Sequence, residues 1–308
     1  MTSLDCACSA LQPIREPSGI EEFIRVRSVC PALQKVFVPE DIWPRFEAWH
    51  RRRPDSSLHR SILFLAAQRG CLARLTSPVH RFLLRGDEIH ERISSQYRRD
   101  LQERWVLESD PTERHRRARI FLGRLAELLV AEWLDSQGWA VTGLEALGAA
   151  SDIEATAPSE HASTSFEVKF IGEDDTCFDM LVRAVNGQPK GWCASPYDAA
   201  NYPLYRAYEA ARQLQRVSNA RRIAVLVIDG LSWSNFDVQL LEGWIDWLSP
   251  SFHDTDSWRA FAATQGSKYP RSSKELAAAL QSVDAVWVLR WDCRHVLSEE
   301  FVREFDRA

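Results

Sequence analysis

The spacing of apolar residues divides the 308-residue chain into two parts of different character. In the first 110 residues, apolar positions recur at helical intervals between proline and glycine breaks, a pattern typical of amphipathic helices. It predicts an all-helical N-terminal region with helices at 21–29, 39–53, 56–70 and 87–108. The last of these is predicted to be one long polar helix with a narrow apolar stripe.

The second part begins with a stretch, 118–137, that is apolar on nearly every side of a helix, as expected for a helix buried on two sides. Gly138 follows where a glycine commonly ends a helix. Short apolar or alternating runs predict strands at 139–142, 151–155, 165–170, 222–229 and 285–291. Further helices are predicted at 198–217, 240–248, 256–264, 274–281 and from Ser298 onward. This order predicts an α/β or α+β core with a mixed sheet flanked by helices.

The strand at 165–170 is charged on one face and apolar on the other, because alternate side chains of a strand point to opposite sides of a sheet. Glu167 and Lys169 share one face, and the other face carries Phe166, Val168 and Phe170. Asp152 lies in the preceding predicted strand, and Glu127 lies among small and aliphatic residues of the apolar helix. An acid buried in such a helix is costly unless it is paired or binds a cation.

Each of these residues also has an ordinary structural interpretation. A Glu-x-Lys pair on a strand often forms an ion pair on a solvated face, an isolated aspartate suits a turn, and a buried arginine would satisfy Glu127. In this order, however, Glu127, Asp152 and the run Glu167-Val168-Lys169 resemble the PD-(D/E)XK nuclease superfamily over residues 118–229. The sequence departs from the family motif at Ser151, which stands where a proline often precedes the aspartate.

The resemblance implies a restriction-endonuclease-like fold and a Mg²⁺-dependent deoxyribonuclease, with Mn²⁺ as a substitute metal. It implies that the metal is held by Asp152, Glu167, the Val168 carbonyl and Glu127. Lys169 would orient or help to deprotonate the attacking water. Magnesium suits such a site because it retains several waters and takes one or two carboxylates together with phosphate oxygens. By analogy, the setting is a bacterial restriction or anti-phage defence effector.

Four further residues are candidates for contact with nucleic acid. Three lie along the 198–217 helix and one lies in the apolar helix: Tyr205, Arg206, Arg212 and Arg124. Arginine and tyrosine side chains commonly contact the phosphate backbone. An ordinary amphipathic helix is the alternative for the group at 205–212.

The overall net charge of −5 conceals a basic region. From Arg45 to Arg124 the chain has 18 arginines, no lysine and 10 acidic residues. Either a polyanion docks on this region, or its arginines form ion pairs on solvated helices. We predict two domains on this basis: residues 1–112, a helical and arginine-rich domain for binding nucleic acid or a partner, and residues 113–308, the nuclease-like domain.

Several classes of protein are disfavoured by the sequence. It has no apolar run of about 18 residues, no secretory signal and seven cysteines without a CxxC pair, which indicates a cytoplasmic protein with reduced thiols. It also lacks a glycine-rich phosphate loop, so if the function involves ATP, a partner such as a helicase or ATPase supplies it. The sequence does not fix the oligomeric state, and a homodimer and a complex with a partner protein are both open, the first by analogy with enzymes that cut two strands as dimers. A ribonuclease and a non-catalytic nucleic-acid-binding or scaffold subunit are the alternative functions.

Overall fold

The structure is a computed structural model in which two compact units are distinguished. The first comprises Met1–Trp133, Gly143–Leu147 and Cys293–Val296, and the second comprises Leu134–Thr142, Gly148–Asp292 and Leu297–Ala308. The structure describes residues 20–52, 63–64, 67, 72, 76, 79, 95–144, 151–171, 196–218, 221–229, 272–292 and 295–305. The predicted domain boundary at 112/113 stays a prediction.

The described part of the first unit is helical. It contains α1 (Ile20–Val29), a π-helical turn (Leu33–Phe37), α2 (Trp43–Arg52), α3 (Ser95–Asp100) and a 3₁₀ helix (Glu103–Leu107). The helices predicted at 21–29 and 39–53 are therefore confirmed, although the second begins at Trp43. Aromatic side chains hold this unit together, since the ring of Phe23 lies 5.7 Å from that of Phe46 and 5.7 Å from that of Phe64.

The single long helix predicted over 87–108 is wrong within the described residues. Helix α3 ends at Asp100, and Gln102 adopts an extended conformation before the 3₁₀ helix begins. Glu103, Trp105 and Val106 are all buried, and three positions so closely spaced do not fit one narrow helical stripe. Because the chain breaks between α3 and the 3₁₀ helix, all three of these side chains are buried. The predicted helix at 56–70 lies largely outside the described residues.

Helix α4 (Pro111–Ser136) is the long apolar helix expected from the sequence, and it begins seven residues before 118. The Asp110 carboxylate accepts a hydrogen bond of 2.9 Å from the Thr112 N–H, and Pro111 occupies a first-turn position that needs no N–H donor. At the other end, Gly138 has φ +86°, a left-handed conformation that favours glycine. The predicted glycine cap is therefore confirmed.

A six-stranded mixed sheet with flanking helices forms the rest of the described chain, which confirms the mixed α/β class. Its strands follow one another in sequence order: β1 (Ala140–Leu144), β2 (Ile153–Thr156), β3 (Ser163–Ile171), β4 (Arg221–Asp229), β5 (Ala285–Asp292) and β6 (His295–Glu304). Strands β2 and β3 are antiparallel, whereas β3, β4 and β5 are parallel. Helix α5 (Pro196–Leu214) connects β3 to β4, and helix α6 (Ser273–Leu280) precedes β5.

The two faces of the sheet are buried by different side chains. Helices α5 and α6 cover one face, where Ile171, Ala224 and Leu226 pack against Leu204 and Leu276. The other face is aromatic. There, the ring centroids of Phe166 and Trp287 lie 5.4 Å apart, and Trp139 contacts both of these rings.

The C-terminal segment corrects a second prediction. The amphipathic helix expected from Ser298 is wrong, because His295–Glu304 is strand β6 at the edge of the sheet beside β5. Backbone pairing along that edge outweighs the local helical pattern. The predicted helices at 240–248 and 256–264 lie outside the described residues. None of the described helices is long and apolar enough to cross a membrane.

Candidate active site

Two carboxylates lie close together where strand β2 begins. The antiparallel register pairs Ile153 with Phe166 and Glu154 with Ser165, and Asp152 directly precedes β2. Its N–H donates to the carbonyl of the same Phe166 at 3.0 Å, so Asp152 and Ile153 both lie opposite Phe166, as in a β-bulge. The Asp152 carboxylate is close enough to Glu167 to raise the pKa of that side chain. Residues 15 positions apart in sequence are thus brought together by strand pairing.

Hydrogen bonds fix the orientation of both carboxylates. The Val168 N–H donates to Asp152 Oδ2 at 2.8 Å, and Lys169 Nζ donates to Glu167 Oε1 at 2.6 Å. The second contact shows that Glu167 and Lys169 share one face of β3, as the alternation predicts. Asp152, Glu167 and Lys169 therefore form a polar cluster on one side of the strand, which we call the carboxylate pair with its lysine.

The Val168 backbone faces the same cluster. The Phe166 carbonyl points toward β2, because it accepts from Asp152. In a strand, the backbone groups of alternate residues point to the same side, so the Val168 N–H and C=O also point toward the β2 side, beyond the first residue of β2. The N–H is bonded to Asp152. The carbonyl is a third oxygen donor directed beside that carboxylate.

The charged side chains of this cluster are unusually well buried. The Glu167 side chain is 4% exposed and the Lys169 side chain 12% exposed, while Asp152 is half-buried. Behind them, Phe166 packs into the aromatic face of the sheet. The solvated ion pair considered from the sequence is therefore not what the structure shows.

The electrostatics of the cluster leave it with excess negative charge. Burial, together with the neighbouring Asp152 carboxylate, raises the pKa of Glu167 to about 7, although Lys169 acts to lower it. One ammonium thus serves two carboxylates in a site with little water. Like charges placed this close cannot both ionise without a further counter-charge.

The donor set fits a hard divalent cation. Two carboxylates and a backbone carbonyl are oxygen ligands, and Mg²⁺ commonly binds one or two carboxylates while it retains waters. Among the residues that the structure describes, no group of three or more His, Cys, Asp or Glu side chains is close enough to hold a metal. The protein ligands here would be Asp152, Glu167 and the Val168 carbonyl.

Glu127, the fourth predicted ligand, lies in the first unit and has its own partner. It is 5% exposed, and its two carboxylate oxygens accept from Arg124 NH1 at 3.0 and 3.2 Å. Arg124 also contacts Asp100 and lies 4.8 Å from the centre of the Tyr97 ring. Here the buried-arginine interpretation describes the observed contacts, whereas a role in metal binding stays a prediction.

The residues predicted to contact nucleic acid differ in their surroundings. The Glu209 carboxylate accepts from the Tyr205 hydroxyl at 2.8 Å and from the guanidinium of Arg206. Arg212 is exposed, with its guanidinium 5.8 Å from the Tyr208 ring centre. Arg124 is held inside the first unit by two acids. Of these four side chains, only that of Arg212 extends from an exposed position.

Sequence reasoning missed a second cluster, formed by residues 96–120 of the first unit. There, four arginines and a tryptophan line one cleft. The high density of arginine was the available signal, but the sequence did not indicate which arginines converge. Comparison with family models, curated proteins and solved structures gives no match to this chain.

Proposed function

We propose that the chain is a Mg²⁺-dependent endonuclease that hydrolyses phosphodiester bonds of DNA. The observation that carries this proposal is the placement of the Asp152 carboxylate beside Glu167, with Lys169 bonded to Glu167 on the same face. The order of elements also supports it, since helix α4, three strands, helix α5 and strand β4 follow the order of the PD-(D/E)XK core. A restriction-endonuclease-like fold is part of the proposal.

Asp152, Glu167 and the Val168 carbonyl would hold the metal. When bound, Mg²⁺ supplies Lewis-acid chemistry that polarises a phosphoryl oxygen and activates water. The protein holds its ligands in place before binding, since the Val168 N–H fixes the Asp152 carboxylate and Lys169 fixes that of Glu167. Such preorganisation avoids the cost of reorienting the ligands during the reaction. Glu127 stays a prediction as an additional ligand.

Lys169 has a second role in the proposal. Its ammonium lies within hydrogen-bond distance of Glu167 and is nearly buried, so it carries positive charge at the place where charge develops on the phosphate oxygens. The same group can donate a hydrogen bond to an attacking water. A compact ammonium with three rotatable donors suits both tasks.

The test is a cleavage assay on supercoiled plasmid, linear duplex, single-stranded DNA and RNA, in Mg²⁺, Mn²⁺ or EDTA. We expect metal-dependent cleavage of DNA that is lost in Glu167→Gln and Lys169→Ala. Glu160→Gln and Lys274→Ala are matched controls, because both side chains are exposed. Metal-dependent cleavage of RNA alone would instead identify a ribonuclease. Binding without cleavage under every metal would contradict the proposal and favour a non-catalytic subunit.

A further inference from the structure

A cleft in the first unit is lined by an unusual concentration of guanidinium groups. It has a volume of about 170 Å³ and lies where α3, the 3₁₀ helix and the first turns of α4 meet. Its lining includes one carboxylate, Asp100, and four arginines with a tryptophan: Arg99, Arg104, Arg116, Arg117 and Trp105. We call it the arginine cleft.

Acids neutralise these four arginines only in part. Arg104 bonds to Asp41 at 2.7 Å, Arg116 and Arg117 share the carboxylate of Glu113, and Arg117 Nε also lies 3.9 Å from a carboxylate oxygen of Glu108. Arg99 donates to the neutral amide of Gln96. Among the lining side chains themselves, four guanidiniums accompany one carboxylate.

The carboxylate that lines the cleft is itself occupied. Asp100 accepts from Arg124 Nε at 3.4 Å and from the Gln96 amide at 2.7 Å. It is thus paired with an arginine that is outside the lining set. Asp100 is therefore oriented toward Arg124, which it shares with Glu127.

Two buried donors of the lining residues have no acceptor among the residues that the structure describes. They are Trp105 Nε1 and Arg104 Nε, and Trp105 as a whole is only 7% exposed. The Gln102 side-chain oxygen is also buried and without a described partner, and rotation of that amide would present its NH₂ group instead. Buried donors are nearly always satisfied in proteins, so this set calls for an acceptor-rich ligand.

The size of the cleft restricts that ligand. Sites for drug-sized molecules have volumes of about 300–1,000 Å³, so 170 Å³ admits a group of the size of phosphate rather than a whole nucleotide. The planar fork of arginine matches the geometry of phosphate oxygens, and such charge-assisted bonds are among the strongest hydrogen bonds in proteins. The charge, the donors and the size indicate the same chemical group.

We propose that the arginine cleft binds one phosphate group of a nucleic-acid strand. The phosphate chemistry is inferred from the cleft alone, whereas the choice of nucleic acid as its carrier rests on the proposed function. Phosphate contacts of this kind fix the register and orientation of a strand without reading its sequence. The helical unit would thus hold the substrate by its backbone.

The test measures binding of a fluorescent DNA duplex by anisotropy, using the full-length chain with Glu167→Gln in EDTA so that cleavage cannot occur. We expect Arg99→Gln with Arg104→Gln to weaken binding about tenfold or more, and to reduce the slope of log K against log salt by about 1, as expected for the loss of one phosphate contact. The control pair, Arg25→Gln with Arg51→Gln, removes the same charge from exposed arginines of the same unit. It should change the affinity less than twofold.

A single substitution and a phosphate titration test the cleft separately. Arg99→Gln alone breaks only a contact with a neutral amide, so it tests the cleft with little effect on folding, and we expect about a fivefold loss of affinity. Inorganic phosphate, compared with chloride at equal ionic strength, should raise the melting temperature of the parent but not of the cleft variant.

The outcomes separate this proposal from that of the nuclease. Equal losses in the cleft and control pairs, or no loss in either, would overturn the cleft proposal. Stabilisation by inorganic phosphate without any cleft-dependent DNA binding would overturn the nucleic-acid carrier. Cleft-dependent binding by a chain that cleaves nothing in the metal-dependent assay would support the cleft and contradict the nuclease.

Discussion

Glu113 and Glu167, one in each unit, have opposite electrostatic surroundings. Glu113, in the first unit, accepts from Arg116 and Arg117, and these guanidiniums lower its pKa to about 2. Glu167, in the second unit, is buried beside Asp152 with a single lysine, and its pKa rises to about 7. Two guanidiniums neutralise the Glu113 carboxylate, whereas one ammonium lies beside the two carboxylates of Glu167 and Asp152.

This difference teaches what each site lacks. Four guanidiniums and one carboxylate line the arginine cleft, a set that favours an anionic ligand. Two carboxylates and one ammonium form the carboxylate pair with its lysine, a set that favours a cation. The proposed substrate, a phosphodiester together with its metal, would provide both kinds of charge.

The largest expected effect is on catalysis at the carboxylate pair. Asp152→Asn and Glu167→Gln each remove one negative ligand while they preserve shape, and we expect the rate of DNA cleavage to fall at least about 10³-fold, or about 4 kcal/mol in barrier height. Single-turnover cleavage with saturating Mg²⁺ measures this loss. Glu160→Gln, which changes an exposed acid, should retain the parent rate, and an equal loss in this control would refute the assignment.

The next effect is on stability and depends on pH. Because the pKa of Glu167 is raised from 4.5 to about 7, the folded state holds this proton more tightly than the unfolded state. Stability in EDTA should therefore decrease as pH rises from about 4.5 to 7, by about 3 kcal/mol, and level off above that range. Urea unfolding at several pH values measures this, and Glu167→Gln should remove this component of the slope. If stability depends on pH equally in that variant, Glu167 is not the group that titrates, and the contrast with Glu113 fails.

Lys169→Ala should have a smaller effect on cleavage, about 10²-fold in kcat, because it removes one positioned charge and donor. Since Lys169 lowers the pKa of Glu167, the variant should also shift the acid limb of the pH–rate profile upward. A purely structural role would reduce the amount of folded protein without moving that limb. Lys274→Ala is the exposed control.

The smallest effect on cleavage is expected for Glu127→Gln, which tests whether Glu127 binds the metal or only pairs with Arg124. Its bonds to Arg124 predict that Glu127→Gln lowers the free energy of unfolding by about 1–3 kcal/mol, as expected when a hydrogen bond to a charged group is weakened. Cleavage by the folded variant should fall much less than in Glu167→Gln. A loss as large as that of Glu167→Gln would instead place Glu127 among the metal ligands.

The sequence was sufficient where local pattern and tertiary structure agree. The period-2 alternation placed Glu167 and Lys169 on one face, and the apolar run at 118–137 located most of α4. It failed at 87–108 and after Ser298, because burial of Trp105 and pairing at the edge of the sheet outweighed local spacing. Both the burial of Trp105 and the pairing at the sheet edge depend on contacts with residues that are distant in the sequence.

The electrostatic features were harder to predict than the elements. A sequence shows that arginines are frequent between Arg45 and Arg124, but not that Arg124 is held by Asp100 and Glu127 while Arg99 retains a neutral partner. Likewise, the pKa of Glu167 depends on burial and on Asp152, which the pairing of β2 with β3 brings close to it. Both results follow from three-dimensional proximity.

The most direct test of a cation at the carboxylate pair is calorimetric titration of the full-length chain with Mg²⁺ at pH 7, in buffers of different ionisation enthalpy. We predict one saturable event that releases a fraction of a proton, since about half of the Glu167 side chains are protonated at their pKa of about 7. Glu167→Gln should abolish both the binding and the proton release, and Glu160→Gln should preserve them. Equal Mg²⁺ binding in all three proteins, or none in the parent, would contradict the account.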